Sequence, residues 1–144
     1  VFTVGHSVSL VLSSYQVISV NSGLVEFVIP ITIAITALYN IITSGKKIQH
    51  TKIGLIFFMT LFFGIIHGLG FSNYFKMIIG NTQFKFIPLI EFALGVEAAQ
   101  VIVVLVMLVL GSLAQNVLNI SKKHWVLVLS SITLGLVLPM LLSR

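Results

Sequence analysis

Residues 87–112 read IPLIEFALGVEAAQVIVVLVMLVLGS, a run whose only charged members are Glu91 and Glu97. A helix needs about 20 consecutive apolar residues to cross the ~30 Å hydrocarbon core of a bilayer, and this run is long enough. No two-residue alternation persists along it, so a strand fits poorly. Pro88 falls in the first turn, where its missing N–H costs nothing. The segment therefore reads as a membrane-spanning helix. Working outward, further apolar runs cover about 1–20, 24–43, 53–72 and 125–143. Together they predict an all-α integral membrane protein, a compact bundle of five transmembrane helices forming one domain over residues 1–144. Asn21-Ser22-Gly23 reads as a tight turn, and residues 45–52, 73–86 and 115–124 as connections.

Composition agrees with this reading. The chain is 58% hydrophobic and 8% charged, with a mean hydropathy of +1.16, where soluble domains are roughly 45–50% apolar and about 25% charged. That excludes an ordinary soluble enzyme, a disordered chain and a disulfide scaffold. The absence of cysteine removes thiolate metal sites and iron–sulfur ligation. A net charge of +5 is compatible with nucleic acid, but the cations form no patch with interleaved aromatics, so the bilayer is the expected partner. Lys46, Lys47, Lys52, Lys76, Lys85, Lys122, Lys123 and Arg144 all lie between apolar runs or at the C-terminus. Five fall in the connections after the second and fourth runs and three on the opposite side. The positive-inside rule then assigns residues 45–52 and 113–124 to the cytoplasm and the C-terminus to the outside. A cysteine at Lys47 should be shielded from an impermeant thiol reagent in intact cells, and one at Lys76 should react. The reverse labelling would invert the orientation.

The three acids lie inside apolar runs, where an ionisable side chain costs ~2.5–3.5 kcal/mol on insertion scales and so marks a candidate functional position. In the first run His6, Ser9, Ser13 and Gln16 form one helical stripe, with Ser7 beside it. The second holds Glu26 and the four-residue series Thr32, Thr36 and Asn40, which reads as a cavity lining or as an interhelical hydrogen-bonded seam. The third ends Phe63-Gly64-Ile65-Ile66-His67-Gly68-Leu69-Gly70-Phe71. Its Gly64 and Gly68 have the small-xxx-small spacing of close helix packing, with His67 alongside. In the fourth, Glu97 and Gln100 share a face, and Glu91 is offset from Glu97 by about 120°, reading as an interfacial carboxylate. His67 and Glu97 are expected to face each other across the third and fourth spans, with Ser7, Asn40, Gln100 and Glu91 as supporting polar positions. Two histidines and up to three carboxylates, without cysteine, suit nickel, cobalt, zinc or proton traffic.

Three segments in order carry a resemblance: Phe2-Thr3-Val4-Gly5-His6-Ser7, Phe63 to Phe71 as quoted, and Leu94-Gly95-Val96-Glu97-Ala98-Ala99-Gln100. Val25-Glu26 and Asn40 fit the same pattern. The chain resembles the HupE/UreJ family of small membrane proteins along essentially its whole length. The resemblance implies a nickel or cobalt permease, or a metal-delivery accessory protein associated with hydrogenase and urease, in a bacterial inner membrane. It implies His6, Glu26, His67 and Glu97 as metal-pathway or ligand positions, with Gln100 supporting. The family pattern also has a preceding helix bearing a His and an Asp-His pair, which would make six spans. Val1 already lies within an apolar run, as though the helix following that one were under way.

The leading expectation is transport without catalysis, the divalent ion being the substrate. Five or six short helices leave little room for a gated path, so a homo-oligomer or larger membrane complex is expected. Two alternatives come from other classes. One is a non-catalytic subunit of a larger assembly, its polar residues locking helices together. The other is a zinc-dependent intramembrane hydrolase, with zinc held by His6, His67 and ligands of the preceding helix, leaving a position open for water.

Overall fold

The computed structural model describes residues 1–46, 53–81 and 83–143. Lys47, Lys52 and Arg144, which enter the charge count, lie outside the described residues, as does the labelling site proposed at Lys47. The described chain contains five helices: α1 (Phe2–Ser14), α2 (Ser22–Thr43), α3 (Ile53–Ile79), α4 (Phe86–Asn116) and α5 (Lys122–Leu142). Helices α2 to α5 are long and apolar enough to cross a membrane. In lipid this is the economical solution, because every backbone polar group is satisfied within its own segment. Side-chain hydroxyls follow the same logic. Thr36, Thr43, Thr60 and Thr133 each donate to the carbonyl four residues earlier, at 2.7–2.9 Å. The Thr36 hydroxyl is thus satisfied inside α2 itself.

The first apolar run departs from expectation. Helix α1 has 13 residues and ends at Ser14 rather than near residue 20. At ~1.5 Å per residue it reaches about 20 Å, short of the hydrocarbon thickness. The physical reason is a Schellman turn. Gln16 adopts φ +59°, its N–H bonds Ser13 O at 3.1 Å, and the Val17 N–H reaches back to Leu12 O at 2.9 Å. Apolar composition over residues 17–20 carries no signal for that reversal. Asn21 then opens α2 by accepting the Gly23 N–H on its side chain at 2.9 Å.

The chain divides into two compact units. The first comprises the described residues of 1–29 and 53–98, the second those of 30–46 and 99–143. In the first unit α1 and α3 run parallel in close contact. Gly5, Ser9 and Ser13 on α1 meet Gly64, Gly68 and Ser72 on α3, two stripes of small residues at four-residue spacing. A Cβ on Gly5 would lie 2.6 Å from Leu61 O, one on Gly64 would collide with Phe2 O, and one on Gly68 with His6 O and Ser9 Oγ. Backbones approach this closely only where side chains are absent. The seam closes on Ser13, whose hydroxyl bonds that of Ser72 at 2.8 Å, while Ser72 donates to Leu69 O at 2.7 Å.

Helix α3 runs seven residues beyond the expected end of its apolar run. Phe75 explains the extension. It is buried with Leu10 and Leu89 in a core joined by Phe92, its ring centroid 5.4 Å from that of Phe92. The contact partners are distant in sequence, so Asn73–Ile79 reads locally as loop and folds as helix. Beyond the core, Lys76 Nζ lies 3.5 Å from Ser13 Oγ and Lys85 Nζ 3.5 Å from Ser14 O, placing two cations at the C-terminus of α1. Cations there complement the helix dipole.

In the second unit α4 and α5 form a helical hairpin. Asn119 takes φ +53°, and Ser121 caps α5 by accepting the His124 N–H at 3.3 Å. The connection is therefore residues 117–121, shorter than the 115–124 expected. Residues 101–110 of α4 are all apolar and all exposed. That is the surface of a helix facing lipid.

Candidate histidine–carboxylate site

His6 lies on the α1 face that meets α3 and is only 2% exposed. Its Nε2 is buried with no hydrogen-bond partner. The ring stacks on Phe2, four residues earlier, at 6.1 Å and 14°, and takes the edge of Phe71 at 5.3 Å and 75°. An imidazole nitrogen left unpaired in an apolar setting forfeits a hydrogen bond, which is rare in folded proteins and asks for an explanation.

His67 stands on the same seam from the α3 side and is half-buried. Its Nδ1 lies 2.7 Å from Phe63 O. A carbonyl only accepts, so Nδ1 carries the proton and donates, which in a neutral ring leaves Nε2 as the acceptor. A backbone bond that fixes the tautomer is how proteins orient imidazole ligands. Phe2 touches this ring too, its centroid 5.4 Å away at 60°. Phe2 thus sits against both histidines.

Glu97, on α4, is half-buried. His6 interacts electrostatically with both His67 and Glu97. No hydrogen bond or ion pair joins His67 directly to Glu97 among the described residues, so His6 is the common member of the three. Beneath them, Gly64 and Gly68 bring the α1 backbone against α3 and so set the two imidazoles on one seam.

Glu26, in the first turns of α2, and Glu91, in the first turns of α4, are exposed. Ser7 is half-buried and faces away from the histidines, lining an apolar groove of about 260 Å³ with Leu10, Tyr15, Phe86 and Leu89. Asn40 and Gln100 belong to the second unit, and Asn40 lines a groove described below. Among the described residues no three His, Asp or Glu side chains are grouped tightly enough to enclose a metal ion. The rings of Phe2 and Phe71 were not among the expected site residues. The signal for them was present, since Phe2–His6 and His67–Phe71 are both spaced by four, which stacks side chains on one helix face.

Fold and site together define a small helical membrane protein with a buried imidazole, a half-buried imidazole and a half-buried carboxylate on its apolar helices. A family model described as HupE / UreJ protein matches residues 1–143, and the chain belongs to that family. No curated protein and no solved structure matched the chain.

Proposed function

We propose that this protein moves or hands on a divalent transition metal, nickel or cobalt, across or within the membrane, with His6, His67 and Glu97 as the donor groups along its path. The observation that carries this reading is the buried Nε2 of His6, without a hydrogen-bond partner among the described residues, on the same α1–α3 seam as His67. Neutral imidazole nitrogens suit nickel and cobalt, which favour nitrogen donors more than magnesium or calcium do. A cation between two imidazoles in a low-dielectric interior is costly unless an opposite charge offsets it. Glu97, within electrostatic reach of His6, supplies that charge.

The arrangement suits transient binding. A site of few protein ligands leaves coordination positions to water, so the ion need not shed its whole hydration shell at once. Phe2 and Phe71 against the rings limit water around them and hold each imidazole in one orientation. The upstream His and Asp-His of the family pattern would add ligands to the same path. The test is metal uptake by purified protein in proteoliposomes, followed with radioactive nickel and cobalt. Accumulation above empty vesicles that magnesium does not compete away is the expected result. No accumulation, together with no metal bound to the purified chain, would overturn the reading.

A further inference from the structure

We propose that the groove between the end of α2 and the start of α5 binds the phosphate-bearing headgroup of an anionic phospholipid. The groove lies within the second unit, has a volume of about 370 Å³, and is lined by Asn40, Thr43, Ser44, Lys46, Lys122 and Lys123, with Val126 as an apolar wall. Three lysines line it, and no carboxylate is among the described lining residues. Like charges brought together repel, so the cluster is best accommodated when an anion sits among them.

The lysines are brought together by structure, since they are far apart in sequence. Ser44 Oγ donates to Lys123 O at 3.1 Å, tying the end of α2 to the first turn of α5. Gly45, at φ +80°, lies against the Lys123 stem, and a Cβ there would come 3.0 Å from Lys123 Cδ. The turn after α2 therefore holds Lys46 beside Lys122 and Lys123.

Two observations favour a lipid over a free anion. The groove stands at the ends of two helices long enough to span, the depth at which headgroups lie. It also has an apolar wall at Val126, which a ligand with a hydrocarbon tail would use. The loop charges assign this end to the cytoplasm, the leaflet with the negative surface potential, where each lysine contributes about 1 kcal/mol, roughly fivefold in binding. This site does not depend on the metal reading.

Trp125 is the sole tryptophan of the chain and follows Lys122 by three residues, within about one 5.4 Å turn. Its indole lies against Gly111 of α4 rather than in the groove, so it reports on lipid gathered around this end of α5. The protein would be reconstituted into phosphatidylcholine vesicles containing increasing fractions of brominated phosphatidylglycerol or brominated phosphatidylcholine, and quenching of Trp125 measured. Brominated phosphatidylglycerol should bind roughly fivefold or more tightly relative to phosphatidylcholine. The preference should fall in Lys46→Gln and vanish in the Lys46→Gln/Lys122→Gln/Lys123→Gln variant, while quenching by brominated phosphatidylcholine stays unchanged and shows the fold intact. If the triple variant does not fold, the three single variants carry the test. Equal binding of the two lipids by the unaltered protein, or a preference that survives the substitutions, would overturn the proposal. Binding of inorganic phosphate at concentrations too low to screen charge, with no preference for phosphatidylglycerol, would reassign the groove to a free anion.

Discussion

Gly68→Leu should leave almost no folded protein. A Cβ at residue 68 would overlap the His6 backbone oxygen and Ser9 Oγ, and Leu adds three further carbons beyond it. The obstacle is helix backbone, which cannot swing aside as a flexible side chain does. Overpacking a well-fitted interior costs about 1–3 kcal/mol even where side chains can shift. Here α1 would have to move off α3, undoing the Gly5–Gly64 approach and the Ser13–Ser72 bond along with it. Gly135→Leu is the matched control, since nothing lies within 4 Å of a Cβ there. The measurement is the monodisperse fraction in mild detergent by size-exclusion chromatography. Loss for residue 68 and retention for residue 135 are expected; equal yields would remove the α1–α3 seam as the organising contact of the first unit.

His67→Ala and Glu97→Gln should each cut metal uptake by about 10–100-fold, the range typical even for groups that only support a metal ligand. Both side chains are half-buried and neither bonds across to another helix among the described residues, so the fold should persist in both. His67→Ala removes a lone pair; Glu97→Gln keeps shape and hydrogen bonding but deletes the charge that offsets a cation near His6. Glu91→Gln should have little effect, since Glu91 is exposed near the start of α4. Uptake rates at matched protein density in vesicles make the comparison. If Glu91→Gln is as damaging as Glu97→Gln, the carboxylate that matters has been placed in the wrong part of α4.

The four long helices were legible because each must present about 20 apolar residues to lipid, and that demand is written locally. What the sequence obscured depends on contacts between distant residues. The end of α1 turns on Gln16 entering the left-handed region, a conformation glutamine seldom adopts. The extension of α3 rests on Phe75 reaching Leu10 and Leu89. Gly64 and Gly68 stand out by their spacing, yet the matching stripe on α1 is Gly5, Ser9 and Ser13, of which the two serines read in sequence only as polar residues. At the site, the histidines and Glu97 were conspicuous because charge is scarce in these runs. No hydrogen bond or ion pair joins His67 to Glu97 among the described residues, and His6 lies within electrostatic reach of both. Periodicity gives the face of each helix but not which neighbour it meets.

His6 and His67 are proposed to offer their Nε2 atoms to a metal ion, and X-ray absorption at the nickel edge, on purified protein carrying nickel, reads this directly. Imidazole scattering is expected in the unaltered protein, and its loss in a His6→Ala/His67→Ala variant, with His124, exposed beside Ser121, left in place as an internal control. A spectrum with oxygen ligands alone, or one unchanged in the double variant, would contradict it.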